Sequence, residues 1–582
     1  MIKLFKNLSK KDMIEILFCI IFIVLQVWLD LKMPDYMSKI TVLVQTEGST
    51  MNDIIKNGIY MILCALGSLV FAVMTGYLAA NVSSNFSKTT RKKIFDKTLD
   101  LDADEVKKFS TSSLITRTTN DVTQIETLLA LGLQLLVKAP ITAVWAITKI
   151  MHKSWQWSAI TGVAVLILLA VITMLIIVVI PRFKLVQQQI DNLNGIAREN
   201  LTGIRVVRAF NAENYQEKKF DKSNKKLTDL QLFNQKKFAM LLPIMYLIMY
   251  LLTLSIYFVG AYLIRNSLMA NKISLFGDMI VFSSYAMQII FSFLMLAMIF
   301  MILPRAQVSA KRINEVLDTK KEIIPGIENP KTKETGTVEF QNVSFKYPNA
   351  DEYILKDISF KVNQGETIAF IGSTGSGKST LINLVPRFYD VTSGKVLIDG
   401  IDVKKYTEKS LNNKIGYVPQ KAVLFSGSVN YNVSYGSKIK EDKIKQAIKV
   451  SQAKDFVEKM DNKYKTHIAQ GGTNISGGQK QRLAIARAIA KNPEIYIFDD
   501  SFSALDYKTD ATLRKELKKY TKEATSLIVA QRIGTIMTAD KIVVLDNGKC
   551  VGFGTHKELL KNCEVYKEIA LSQLSKEELE NV

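Results

Sequence analysis

Cysteine and histidine are scarce in this sequence, and neither is grouped. None of the four cysteines, Cys19, Cys64, Cys550 and Cys563, forms a C-x-x-C pair, so neither a zinc site nor a disulfide framework is indicated. The three histidines, His152, His467 and His556, lie far apart, which argues against a histidine-rich metal site. Negative charge is in the minority: 54 Asp and Glu stand against 76 Lys and Arg, a formal net charge of +22. No groove-reading motif accompanies the basic excess, so nucleic acid is set aside as a partner. Two reasons for the excess stay open, an anionic membrane surface and simple solubility.

Hydrophobicity is abundant and unevenly spread. Long apolar runs lie near residues 14–34, 58–82, 129–150, 155–180, 239–264 and 277–303. Each is close to the ~20 residues that a helix needs to cross the hydrocarbon core. One such run could be a buried soluble helix, but six in the first half of the chain point to a membrane domain. Lys3, Lys6, Lys10 and Lys11 precede the first run, as in a signal peptide. No small-residue cleavage site follows, so the run reads as an uncleaved first span.

The connections at 35–57, 151–154 and 265–276 are short. Those at 83–128 and 181–238 are long and basic, with Lys88, Arg91, Lys92, Lys93 and Lys97, then Arg182, Lys184, Arg205 and Arg208. Basic segments stay on the cytoplasmic side, which predicts cytosolic termini and a multi-pass protein of the cytoplasmic membrane. Helical periodicity persists through Leu201, Ile204, Val207 and Phe210. The long segments therefore read as spans extended into the cytosol, with bends at 102–113 and 211–217. Residues 1–320 form the expected transmembrane domain, and 321–336, with Pro325, Gly326, Pro330 and Gly336, a linker. Residues 337–582 alternate strand-like and helical segments, an α/β pattern.

Three motifs in that second domain carry chemistry. Residues 372–379, GSTGSGKS, fit G-x-x-x-x-G-K-[ST] between an apolar strand and a helix. In such a loop Ser373, Thr374, Gly375, Ser376 and Gly377 offer backbone N–H groups to phosphates at a helix N-terminus, with Thr380 just beyond. Lys378 reaches the β- and γ-phosphates and Ser379 ligates Mg2+, so ATP and Mg2+ are the expected cofactors. The apolar run 495–498 ends in Asp499 and Asp500. Asp499 is placed to hold Mg2+ at the carboxyl edge of a strand. Between the two lies a Ser-Gly-Gly turn, Ser476, Gly477 and Gly478, followed by Gln479. As the start of a helix it can present N–H groups to the γ-phosphate of a nucleotide held by another domain.

With these motifs in this order the sequence resembles the ABC transporter family, in particular exporters that fuse six membrane helices to an ATP-binding cassette. The resemblance spans nearly the whole chain. It implies that Tyr347 stacks on adenine and that Gln420 contacts Mg2+ and the attacking water. Residues 476–479 match the family signature, and Ser503, Ala504, Leu505 and Asp506 match its D-loop. The two bends match coupling helices.

Two positions depart from that pattern. Asp500 stands where the family has Glu, one methylene shorter for a base that must reach its water. Gln531 stands where the family has His, and a neutral amide can neither carry the imidazole charge nor exchange its proton. Ile475 replaces a usual leucine in an otherwise regular signature. The paired losses resemble the degenerate-site subunit of heterodimeric bacterial multidrug exporters, which implies a second, non-identical half-transporter chain with a complete catalytic site. Tolerated drift in a homodimeric exporter and a nucleotide-gated channel or sensor remain as other readings; an importer fits the fused cassette poorly. The cargo is unnamed by the sequence. Met287, Phe291, Met295 and Met298 share a helical stripe suited to amphiphilic or drug-like molecules, or simply to packing. Lys138, inside the third run, is either functional or snorkels to an interface.

Overall fold

The structure, a computed structural model, describes residues 1–46, 48–151, 154–330, 334–348 and 350–574. His152, linker residues 331–333 and residues 575–582 of the second domain lie outside the described residues, as does the side chain of Lys184. The chain divides into two compact units, Met1–Leu101 with Glu105–Lys320, and Asp102–Asp104 with Lys321–Val582.

In the first unit, six described helices are long and apolar enough to cross a membrane: Lys10–Gln45, Met51–Asp100, Thr111–Met151, Trp155–Thr202, Glu213–Arg265 and Asn271–Asp318. They run from 36 to 53 residues. At 1.5 Å per residue even the shortest exceeds a core about 30 Å thick. The apolar runs therefore continue as polar helix beyond it.

The connections are tighter than the hydropathy suggests. Residues 35–57 are not a loop: the first span carries Pro34 inside the helix and continues to Gln45. Thr50 then caps the second helix by accepting from Asp53 N at 3.3 Å. Polarity ended the apolar run there without ending the helix. Likewise 265–276 shrinks, since the fifth span ends at Arg265 and the sixth helix starts at Met269. The bend at 211–217 also contracts. Asn211 takes a left-handed φ of 49°, and the helix restarts at Glu213. The other bend holds the short helix Ala103–Lys108, after which Ser110 caps the next helix.

Two lysines of this unit pair with aspartates of the first span. Lys138 pairs with Asp30 at 3.1 Å and Lys149 with Asp35 at 3.0 Å. Tyr285, fully buried, donates to Asp35 at 2.7 Å. These bonds tie the first span to the third and sixth. Of the methionine stripe, Phe291 and Met298 are exposed, while Met287 and Met295 are half-buried.

The second unit is built on two larger sheets. One is antiparallel: β2 (Leu355–Val362), β1 (Val338–Phe345), β4 (Ser393–Ile398) and β5 (Ile401–Asp402), in that spatial order. The other has six strands in the order β12-β11-β3-β10-β9-β6: β12 (Lys549–Gly554), β11 (Lys541–Asp546), β3 (Thr367–Gly372), β10 (Thr525–Val529), β9 (Ile495–Asp499) and β6 (Ile415–Val418). Only β12 runs antiparallel in it. A small pair joins β7 (Gly427–Ser428) to β8 (His467–Ile468). All five residues of β9 are buried, as expected for a parallel strand covered on both faces. The carboxyl ends of β3 and β9, separated by β10, place the loop after Gly372 near Asp499.

Phe498 is fully buried in β9, in one core with Leu483, Ile485 and Ile528. Phe498→Ala should destabilise the second unit by about 3–5 kcal/mol, read as a lower denaturant midpoint for that unit in the full chain.

Candidate functional site

The loop after β3 takes its shape from backbone that only glycine adopts readily. Gly375 and Gly377 have φ of 86° and 95°, in the left-handed region. A Cβ on Gly377 would also stand 2.8 Å from Leu355 Cδ2. Ser373, Thr374 and Gly375 are exposed, while Ser376 is buried. The helix Lys378–Asn383 follows at once. Lys378 folds back over the loop and donates to the carbonyls of Gly372 (2.8 Å) and Ser373 (2.7 Å). Burial pushes the Lys378 ammonium below its usual range, an effect opposed by the charges of Asp500 and Asp499.

At the end of β9 two buried carboxylates sit side by side. Ser379 Oγ donates to Asp499 Oδ1 at 2.7 Å. Burial pushes the Asp499 carboxyl above the ordinary aspartate range; the Ser379 hydrogen bond lowers it and the neighbouring Asp500 raises it further. Asp500 sits in the left-handed region with φ 45°, and its N–H donates to Val529 O at 3.1 Å. Its Oδ2 accepts from two amides, Gln531 Nε2 at 2.8 Å and Gln420 Nε2 at 3.3 Å. Burial also raises Asp500, and the bonds from Gln420 and Gln531 moderate that rise. Six predicted residues thus meet: Lys378, Ser379, Asp499, Asp500, Gln420 and Gln531. Ser379 and Asp499 present converging oxygens, the donor type that Mg2+ selects. Among the described residues no three His, Cys, Asp or Glu side chains converge as a metal site, so such an ion would need phosphate and water oxygens too.

Tyr347 lies at the rim. Its hydroxyl is 3.0 Å from Thr380 Oγ1, and its ring packs edge-on against Phe345 and Tyr389. That network fixes Thr380 and the tyrosine together.

The signature residues are organised separately. Ser476 caps the helix Gly477–Lys491, and Gln479 reciprocates through its side chain in a capping box. A Cβ on Gly477 would meet nothing within 4 Å, whereas one on Gly478 would lie 3.2 Å from Ala504 O. Asp506 caps the helix Tyr507–Tyr520 by accepting from Thr509 N at 3.0 Å. Among the described residues no hydrogen bond joins 476–479 or Asp506 to the glycine-rich loop. The link to the site is indirect: Gln481 Nε2 donates to Pro419 O at 3.2 Å, next to Gln420.

Sequence reasoning passed over Ser501, and it assigned Ser503 to the D-loop without its part in holding this turn. Ser501 Oγ donates to Val418 O at 3.0 Å, and Ser503 Oγ donates to Asp500 O at 2.9 Å. Small hydroxyl residues directly after two buried carboxylates were the available signal, since such residues satisfy backbone groups in tight turns.

Fold and site together define a multi-span membrane protein joined to a P-loop nucleotide-binding domain. Family models agree region by region: the ABC transporter transmembrane region matches residues 16–317, and the ABC transporter model matches 355–503. The uncharacterized ABC transporter ATP-binding protein Rv1273c of Mycobacterium tuberculosis is 40% identical over 519 residues, 88% of this chain and 87% of its own. The ATP-dependent lipid A-core flippase of Pseudomonas aeruginosa is 32% identical over 506 residues, 86% of this chain and 82% of its own. A solved bacterial Atm1-family ABC exporter with ATP bound shares the fold, with a TM-score of 0.83 at 24% identity over 97% of this chain and 99% of that one. The chain belongs to the ABC transporter family, as a half-transporter with its membrane region and ATPase domain in one polypeptide.

The two carboxylates make a stability prediction. Both have folded-state pKa values above their unfolded values. Ionising them therefore costs more in the folded protein. That penalty is complete above the folded values and vanishes below the unfolded ones. Asp499→Asn should accordingly raise thermal stability at neutral pH, and its advantage over the parent should shrink as pH falls into the ordinary carboxylate range. Melting curves of both proteins across pH 4–7 check this, where ~4 is the usual carboxylate midpoint.

Proposed function

We propose that the protein is one subunit of an ATP-driven exporter of the cytoplasmic membrane, paired with a non-identical half-transporter, and that its own Walker site binds ATP but hydrolyses it slowly. The observation that carries this reading is the set of bonds around Asp500. Its burial makes it a better base than an ordinary aspartate. What it lacks relative to glutamate is reach. A general base must come within about 2.6–3.2 Å of its water. Here the shorter side chain is anchored at Oδ2 by Gln531 and Gln420. Gln531 adds a hydrogen bond without the charge of a histidine.

The binding groups are all retained. The N–H groups of residues 373–377 and Lys378 would hold the phosphates of ATP, Tyr347 would stack on its adenine, and Ser379, Asp499 and Gln420 would hold Mg2+. A bound Mg2+ neutralises developing charge on the transferred phosphoryl group. The signature at 476–479 makes no hydrogen bond to the glycine-rich loop of its own chain among the described residues, which supports a role in completing the partner's site. Closing the two cassettes would favour one orientation of the membrane domain through differential binding of ATP. The relative named as a lipid A-core flippase supports an amphiphilic cargo. The basic extensions support cytosolic termini.

The test is steady-state ATPase activity of the complex purified from native membranes. Asp500→Asn should reduce turnover only modestly, whereas Ser476→Ala should nearly abolish it. The reverse order would replace this reading with a chain active through its own Walker B site. Lys378→Ala should weaken ATP binding to this chain, and unchanged affinity would remove the site assignment. For topology, a cysteine is placed at Lys225, since Ser223 is buried against Asn192. It should resist impermeant reagents added outside intact cells; external labelling would invert the arrangement.

A further inference from the structure

The fourth, fifth and sixth spans carry a group of cations that the ATPase chemistry does not use. The Arg182 guanidinium lies 3.5 Å from the centroid of the Phe233 ring, and Lys237 Nζ lies 5.5 Å from the same centroid. Arg305 is 5.9 Å from the Phe183 ring, which itself packs 6.1 Å from Phe238. Among the described residues no carboxylate pairs with Arg182, Lys237 or Arg305. Arg182 lies directly against the Phe233 ring, which holds its guanidinium in place, and among the described residues no side chain accepts a hydrogen bond from it. A fixed planar fork of that kind suits a phosphate, which accepts two parallel hydrogen bonds.

A second observation points to a ligand. Asn234 is 5% exposed, yet neither its Oδ1 nor its Nδ2 has a partner. Ser223, Leu227 and Asn234 are the buried positions of the helix Glu213–Ala239, and their spacing puts them on one stripe. That stripe faces the fourth span, to which Asn192 ties Ser223 at 3.3 Å. Asn234 therefore lies on the face that carries Phe238 one turn later, beside Phe233. Leaving a buried amide unpaired is costly, because its lost bonds to water are not replaced. Interfacial anchoring alone would account for the arginines and aromatics, but it would not call for a buried, unpaired amide one turn before Phe238.

The depth fixes the class of ligand. Arg182, Lys237 and Arg305 all stand just past the cytosolic ends of their apolar runs. Pro181 and Pro304 lie inside their helices immediately before the two arginines. Pro243 follows the break at Met240 in the fifth span. Pro181 and Pro304 each withhold one N–H inside a continuous helix, and the fifth span breaks at Met240, so proline marks three adjacent helices at the level of this cation group. Apolar helix surface lies on one side of that level and charged surface on the other.

We propose that this group binds the phosphate head of an amphiphile drawn from the cytosolic leaflet. Arg182 and Arg305 grip the phosphate, Asn234 completes its hydrogen bonds, and the apolar spans take the acyl chains. The proposal deepens the exporter reading and rests on it only for the side of the membrane.

The experiment uses the purified full chain in detergent at fixed ionic strength. Dihexanoyl phosphatidic acid, below its micellar concentration, is the probe, with dihexanoyl phosphatidylcholine and inorganic phosphate as the other arms. The parent should bind the phosphatidic acid saturably and more tightly than either comparator. Arg182→Gln should weaken that binding about tenfold, the scale of one lost charge-assisted hydrogen bond. Asn234→Leu should also weaken it, while raising the melting temperature of the lipid-free protein because an unpaired amide is removed. Lys92→Gln, at an exposed cation on the second span, should change nothing. Equal losses in Lys92→Gln and Arg182→Gln would show diffuse surface charge and overturn the site. So would an Asn234→Leu protein that binds like the parent. Inorganic phosphate binding as tightly as the lipid would overturn the amphiphile and leave a free-anion site. ATP binding on the same samples should be unchanged in every variant, which separates failure of this site from failure of the nucleotide reading.

Discussion

Two adjacent carboxylates buried at the end of a parallel strand set the terms for the cassette. Burying one such charge is costly, and burying two beside each other more so. The surrounding elements are arranged to offset that cost. Lys378 arrives from the glycine-rich loop, Ser379 from the first turn of its helix, and Gln420 and Gln531 from the ends of β6 and β10. Each bonds to a carboxylate or balances its charge. The sheet order brings the carboxyl ends of β3, β9, β10 and β6 to one edge, which is where such a cluster can form. The left-handed backbone at Asp500, supported by Ser503, turns the chain sharply at that edge. The arrangement stores electrostatic strain where phosphate chemistry needs cations and oxygen donors in fixed positions.

The membrane unit answers a different constraint. No water is present in the hydrocarbon to satisfy backbone groups, so the spans must stay helical. Polar side chains within them must find one another. Asp30 with Lys138, and Asp35 with Lys149 and Tyr285, follow that rule. Asn234 lies just outside the apolar run of its span, at the level where prolines enter three neighbouring helices and where cations without a carboxylate partner gather among the described residues. Single unpaired atoms also occur at Thr75, Thr90, Thr142, Trp157 and Gln288, but among the described residues of this unit Asn234 alone leaves both side-chain atoms without a partner.

Helix boundaries illustrate where hydropathy fails. It reports lipid exposure, and lipid exposure ends before a helix does. The first span outlasts its apolar run by eleven residues, from 34 to Gln45, because its polar continuation can hydrogen-bond its own backbone as well as an apolar stretch can. The same reasoning moved the start of the sixth helix to Met269 and narrowed the bend near Asn211.

The sequence alone determined the number of spans, the α/β character of the second domain and the local motifs, because each depends on residues close together in the chain. Twenty apolar residues must be helical in lipid, and a glycine-rich loop before a lysine must curl around anions. Tertiary structure alone decided the partners. Gln531 and Gln420 reach Asp500 from 31 and 80 residues away. Lys138 on the third span finds Asp30 on the first, and Asn234 finds no partner. No spacing rule predicts such meetings. They depend on which helix faces and strand ends the whole chain brings together, and on whether packing leaves room for a second polar group.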